Sequence, residues 1–166
     1  MNVFVETSIV NNVLDLEEKR QNNLTWKENI KYLKLLLGRP VATGDMVFYV
    51  NPSVKWQINN TKVKQRKEGL LDKFKEFQFI EFNLTIFPFR FPATFITKEQ
   101  SVLIKQLCTA HPALGKDRKI IADAAFNKNI DVLLTTDKDL ARQVCQLGKV
   151  KFMLPKELWD SYRTAH

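Results

Sequence analysis

The chain alternates short apolar runs with longer stretches whose apolar residues recur every three or four positions. Asn2 to Val5 is the first run, halted by Glu6-Thr7-Ser8, and Ile9, Val10, Val13 and Leu14 follow at helical spacing. From Thr25, the residues Trp26, Ile30, Leu33, Leu36 and Leu37 form one helical face, and Gly38-Arg39-Pro40 predicts its end. Met46 to Val50 predicts a second strand, closed by Asn51-Pro52-Ser53. A basic helix is expected from about Ser53 to Glu76, with a break near Asn59-Asn60. Phe77 to Phe82 alternates as a third strand should. Thr97 to Cys108 and Asp117 to Lys128 read as helices. Asp131 to Leu134 reads as a buried fourth strand, and Leu140, Val144 and Leu147 then predict another helix. Val150 to Leu154 is a fifth strand, and Pro155 opens a last short helix carrying Leu158 and Trp159.

Five strand-like runs alternating with helices predict an α/β domain with a parallel sheet covered on both faces. Sequential strands usually neighbour each other, and their crossovers are right-handed. If the first three strands wind one way and the last two the other, the first and fourth become neighbours. That switch point would bring Glu6 beside Asp137, at the lip of the sheet where ligands of such folds bind. Asp139 follows two residues later. Asp117 precedes Ile120 and Ile121 by three and four positions, so it shares their helix face one turn nearer the start. Three acids, with Asp139 as a fourth, are therefore expected near one lip. The stretch from Asn83 to Phe95 departs from the pattern. Leu84, Ile86, Phe87, Phe89, Phe91 and Phe95 are interrupted by Pro88 and Pro92, which exclude a central strand.

At 166 residues the chain suits a single domain spanning 1–166, with an aromatic-rich elaboration at about 83–96. Hydrophobic residues at 45% and charged residues at 27% mark it as globular rather than disordered. Lys and Arg number 26 against 18 Asp and Glu, a net charge of +8 that points to a polyanionic partner, nucleic acid above all. Cys108 and Cys145 lie inside apolar helical patterns with no metal-site spacing, as buried thiols of a reducing compartment would. No secretory signal and no apolar stretch of membrane-spanning length occurs, so a soluble, cytoplasmic protein with no membrane partner is expected. With five glycines and no glycine-rich phosphate loop, nucleotide-binding relatives of the same fold class are disfavoured.

The acidic segments also carry a resemblance. Val-Phe-Val-Glu-Thr-Ser resembles the strand-Asp-Thr-Ser opening of PIN domains. Lys116-Asp117-Arg118-Lys119-Ile120-Ile121 with Ala124, twenty residues before Thr-Thr-Asp-Lys-Asp-Leu, resembles that family's two C-terminal acidic motifs. Lys-Phe-Met-Leu-Pro-Lys-Glu-Leu resembles the last strand, proline and helix of VapC-type toxins and their relatives. The resemblance covers roughly Met1 to Leu14 and Gly115 to Trp159. It implies a three-layer α/β/α sandwich around a parallel five-stranded sheet. It also implies a metal-dependent endoribonuclease, a hydrolase that cleaves RNA phosphodiester bonds with Mg²⁺ or Mn²⁺ held by clustered carboxylates.

On this resemblance Glu6, Asp117 and Asp137 are the catalytic residues, and with Asp139 they are the metal ligands. Gln57, Thr7 and Thr135 are candidate supporting residues. RNA is the implied partner, with an antitoxin or other protein and a homodimer as further partners of the kind the family has. Two positions depart from the pattern: Glu6 stands where the family has Asp, and Gln57 falls where an early helical acid is usual. The alternative is a catalytically weakened PIN-like module that binds RNA or a protein partner without cleavage. Plainer roles compete at each position. Asp117 and Asp137 sit at helix starts, where Asp is a favoured cap. Asp139 suits the first turn of a helix. Thr7, Ser8 and Thr135 can serve the local backbone. Lys62, Lys64, Arg66 and Lys67 form either an RNA track or a solvated face.

Overall fold

The centre of the molecule is strand β1 (Asn2–Val5), whose Val3, Phe4 and Val5 are fully shielded from solvent. Successive side chains of a strand point to opposite faces, so such a run is stable only where both faces of the sheet are covered. The computed structural model describes residues 1–17, 24–79, 118–125, 127, 129–144 and 146–165, together with 102, 105, 106, 109, 110 and 112. After β1 come helices α1 (Thr7–Glu17), α2 (Leu24–Leu37) and the short α3 (Arg39–Ala42), then strand β2 (Val47–Val50). Helices α4 (Pro52–Asn59) and α5 (Lys64–Glu76) lead to β3 (Gln78–Phe79). Helix α6 (Arg118–Ala125), strand β4 (Val132–Leu134), helix α7 (Lys138–Val144), strands β5 (Gln146–Leu147) and β6 (Val150–Met153), and helix α8 (Pro155–Ala165) follow.

The sheet order is β3-β2-β1-β4-β6-β5. Phe4 pairs in parallel with Tyr49 of β2 on one side and with Leu133 of β4 on the other. The expected reversal of winding between the first and fourth strands is therefore present. The fold is α/β with a parallel sheet, an arrangement compatible with a three-layer sandwich, but the expected five-stranded parallel body is corrected. Four strands of three or four residues, β2, β1, β4 and β6, make that body. The run expected from Phe77 to Phe82 contributes only the two-residue edge strand β3, and residues from 80 lie outside the described ones. At the other edge β5 pairs antiparallel with β6, and it contains Leu147, which the helical period had put on the preceding helix. Gly148 explains the difference. Its φ of +61° starts the two-residue turn between β5 and β6, and glycine takes that conformation without a Cβ clash.

Local signals set the other boundaries. Asn51 caps α4 by accepting from the Val54 N–H at 3.1 Å, and Pro52 occupies the first helical position, where its missing N–H costs nothing. The basic helix breaks as expected, between Asn59 and Lys64. Helix α2 ends at Leu37, as Gly38-Arg39-Pro40 predicted, and Pro40 then lies in the first turn of the short α3. Glu157 reaches back to the Leu154 N–H at 2.8 Å, half of a capping box for α8. The helices expected at 97–108 and the start of the one at 117–128 fall mostly or wholly outside the described residues, as do Cys108 and Cys145 and the aromatic segment at 83–96.

Helix α1 packs on α2, α4 and α5, and α2 packs on α8. Gly69 lets α5 approach closely, since a Cβ there would lie 3.2 Å from the Leu14 methyl carbons. Beside it Arg66 Nη1 pairs with Asp15 Oδ1 at 2.5 Å, and Nη2 donates to Asn11 Oδ1 at 3.0 Å. At the opposite end of the strands Tyr162 donates to Asp45 Oδ2 at 2.7 Å, tying α8 to the turn before β2. That bond, followed by burial of the phenol, raises the Tyr162 pKa above its ordinary value.

Three variants check these contacts. Arg66→Ala leaves the mostly buried Asp15 carboxylate without its charge partner and should cost about 3 kcal/mol in urea unfolding. Lys64→Ala, which removes an exposed pair to Glu68, should change stability by less than about 0.5 kcal/mol. For Tyr162 the neutral phenol is favoured by folding. Its contribution is complete below the unfolded pKa of about 10 and is lost as pH rises through the higher folded value. The stability advantage of the wild type over Tyr162→Phe should therefore shrink in thermal melts taken at increasingly alkaline pH.

Candidate functional site

The C-terminal ends of β1 and β4 deliver the chemistry. Glu6 follows β1 directly, and its N–H donates to Leu134 O at 3.1 Å, so the two strand ends are zipped to the last residue. Thr135 follows β4 and its N–H donates to Met153 O of β6 at 3.1 Å. Glu6, 7% exposed, accepts through Oε2 from the Ser8 N–H at 3.1 Å and from Thr135 Oγ1 at 3.3 Å. Thr135 Oγ1 in turn accepts from the Asp137 N–H at 3.0 Å. One buried hydroxyl thus connects the two acid-bearing loops. Glu6 is the residue before α1, so its carboxylate also caps that helix through Ser8.

A second set of bonds ties the same loops from the other side. Ser8 Oγ accepts from the Thr136 N–H at 3.1 Å. Asn12 Nδ2 donates to Ser8 O at 2.7 Å and to Thr136 Oγ1 at 3.4 Å. Asp137 Oδ1 accepts from the Asp139 and Leu140 N–H groups at 2.9 and 3.1 Å, capping α7. Each acid therefore sits at the N-terminal end of a helix, where the helix dipole favours negative charge. Asp139 is exposed in the first turn of α7. Gln57 arrives from α4, half-buried, with its Oε1 hydrogen-bonded by the Thr7 hydroxyl.

Glu6, Thr7, Gln57, Thr135 and Asp137 are accordingly linked at one lip. Asp117 lies outside the described residues. Of the basic candidates, Lys62 and Lys64 are exposed and Lys67 is half-buried, whereas the Arg66 guanidinium is engaged by Asp15 and Asn11 between α1 and α5. Asn12 and Thr136 had no site role in the expectations from sequence, whereas Ser8 was expected to serve the local backbone or support the acids. Asn12 was detectable only as the residue one helical turn after Ser8; its bond to Thr136 spans 124 residues of chain and has no local signature.

Carboxylate, amide and hydroxyl oxygens are the donors that Mg²⁺ and Mn²⁺ prefer, so the chemistry of the lip suits a hard divalent cation. Among the described residues no three His, Cys, Asp or Glu side chains gather closely enough to hold a metal ion. No protein-family model and no curated protein matches the chain.

The amide at position 57 offers a direct test. Gln57→Glu adds a charged oxygen beside Thr7 and should tighten Mn²⁺ binding on the order of tenfold in a calorimetric titration. Unchanged affinity would mean that position 57 does not reach the ion.

Proposed function

We propose that the chain is a single PIN-like α/β/α domain acting as a Mg²⁺- or Mn²⁺-dependent endoribonuclease. The observation that carries the reading is the link from Glu6 through the Thr135 hydroxyl to the Asp137 backbone N–H, at the point where the sheet reverses its winding. Ligands of α/β folds bind at such crevices. The resemblance of the Glu6, Asp117 and Asp137 segments to PIN motifs supports the same reading. So does the charge of +8, which would draw in the phosphate backbone of RNA.

Glu6, Asp137 and Asp117 would hold the ion, with Asp139 as an outer carboxylate. The ion would supply an activated water and neutralise charge on the phosphate being cleaved. The chain's own residues do the positioning. Thr135 sets the separation of the two acid-bearing loops through its bonds to Glu6 and Asp137. Ser8 and Asn12 hold the α1 and α7 starts together. Gln57, oriented by Thr7, would present an amide in place of a fourth charge. A non-cleaving module that binds RNA or a protein partner is the second reading. It is favoured by Gln57, whose oxygen is already engaged, and by the longer reach of Glu6 relative to an aspartate.

Substitution at Asp137 separates charge from capping. Asparagine caps a helix as well as aspartate does. Asp137→Asn should therefore keep the melting temperature while lowering Mn²⁺-dependent RNA cleavage by at least about a hundredfold. Asp137→Ala should lose cleavage and, in addition, about 1 kcal/mol of stability. Equal behaviour of the wild type and Asp137→Asn with both metals would end the nuclease reading. Salt-sensitive RNA binding without divalent-dependent cleavage would establish the second one.

A further inference from the structure

Helix α4 carries a feature that the carboxylate site does not use. Ser53, Val54 and Ile58 are buried, Gln57 bonds Thr7 at the lip, and Trp56 is 53% exposed. At about 100° per residue, Trp56 stands roughly 60° around the helix from Ser53 and 100° from Gln57. It therefore borders the buried face on its Ser53–Gln57 side, away from Ile58. Lys55, Asn59 and Asn60 are exposed on the same helix and its cap, and Lys62 and Lys64 are exposed just beyond. An indole at the margin of the lip is thus continued by polar amides and lysines.

We infer that Trp56 is a base-stacking residue, and that the surface from Trp56 through Lys55, Lys62 and Lys64 takes single-stranded RNA approaching the carboxylate lip. The inference rests on the proposed action at that lip and names the form of nucleic acid it accepts. Unpaired bases offer a π-face to an aromatic ring, whereas bases stacked inside a duplex do not. Lysines answer the phosphates at the same time, and the excess of 26 basic over 18 acidic residues is complementary to such a strand. Gln57, the next residue, connects this surface to Thr7 and so to the turn that carries Glu6.

The test is binding of a fluorescently labelled single-stranded RNA of about 12 nucleotides, read by anisotropy in EDTA so that no cleavage intervenes. Trp56→Ala should weaken binding about tenfold, while Trp56→Phe, which keeps a ring, should stay within about threefold of the wild type. Melting temperatures of the three proteins are measured in parallel, so that a loss of folded protein is told apart from a loss of stacking, and Trp56→Phe separates the ring from the rest of the side chain's contacts. With the wild-type protein, an abasic strand of equal length should bind about as weakly as the native strand binds Trp56→Ala. Equal binding by wild type and Trp56→Ala, equal binding of abasic and native strands, or preference for a duplex would overturn the inference. Absence of RNA binding by the wild type would also overturn it, leaving the surface to a protein partner. The two proposals fail separately. Trp56-dependent binding without cleavage in Mn²⁺ retains this one and sinks the nuclease; cleavage indifferent to Trp56→Ala does the reverse.

Discussion

Burial of β1 on both faces is the constraint from which the rest follows. Val3, Phe4 and Val5 cannot satisfy both faces at an edge, so β1 must have a strand on each side and helices above and below. β2 and β4 fill those places, and the chain has to reverse its winding between them. The C-terminal ends of β1 and β4 therefore lie side by side where the winding reverses. Glu6 stands there because it is the first residue after the central strand.

The side chains at the lip serve the local backbone and link the two strand ends. Glu6 and Asp137 each cap a helix, and each does so with one carboxylate oxygen, Oε2 and Oδ1 respectively. The caps also have a mechanical effect, since they fix the direction in which each carboxylate points. Thr135, fully buried, accepts from one loop and donates to the other. A buried hydroxyl that makes both bonds avoids the penalty of an unsatisfied polar group and holds two segments 129 residues apart in one register.

Positive charge is divided between structure and surface. Arg66 spends its guanidinium on Asp15 and Asn11, where bidentate geometry suits a tight contact between helices. Lys55, Lys62 and Lys64 are exposed instead. Four basic residues close in sequence thus differ in environment, and the packing of α5 on α1 is what buries the one guanidinium among them.

Much of this was legible in the chain itself. Mostly apolar runs ending in polar residues marked β1, β2 and β4, the alternating run Val150-Lys151-Phe152-Met153 marked β6, and the Asn51-Pro52 and Gly38-Arg39-Pro40 signals located helix boundaries to within a few residues. The strand order followed from handedness and from the preference of sequential strands to be neighbours. Three things were not legible. Leu147 satisfies a helical period and a hairpin equally, since either conformation buries it, and the turn at Gly148 decided between them. Arg66 reads as one more cation in a basic run until Asp15 is found opposite it. The bonds of Ser8 and Asn12 to Thr136 join residues more than 120 positions apart, and no local pattern encodes a partner at that distance. Sequence determined which elements form and which acids end them, because periodicity and capping are local; the tertiary structure alone decided which polar groups meet, because that depends on strands that only folding brings side by side.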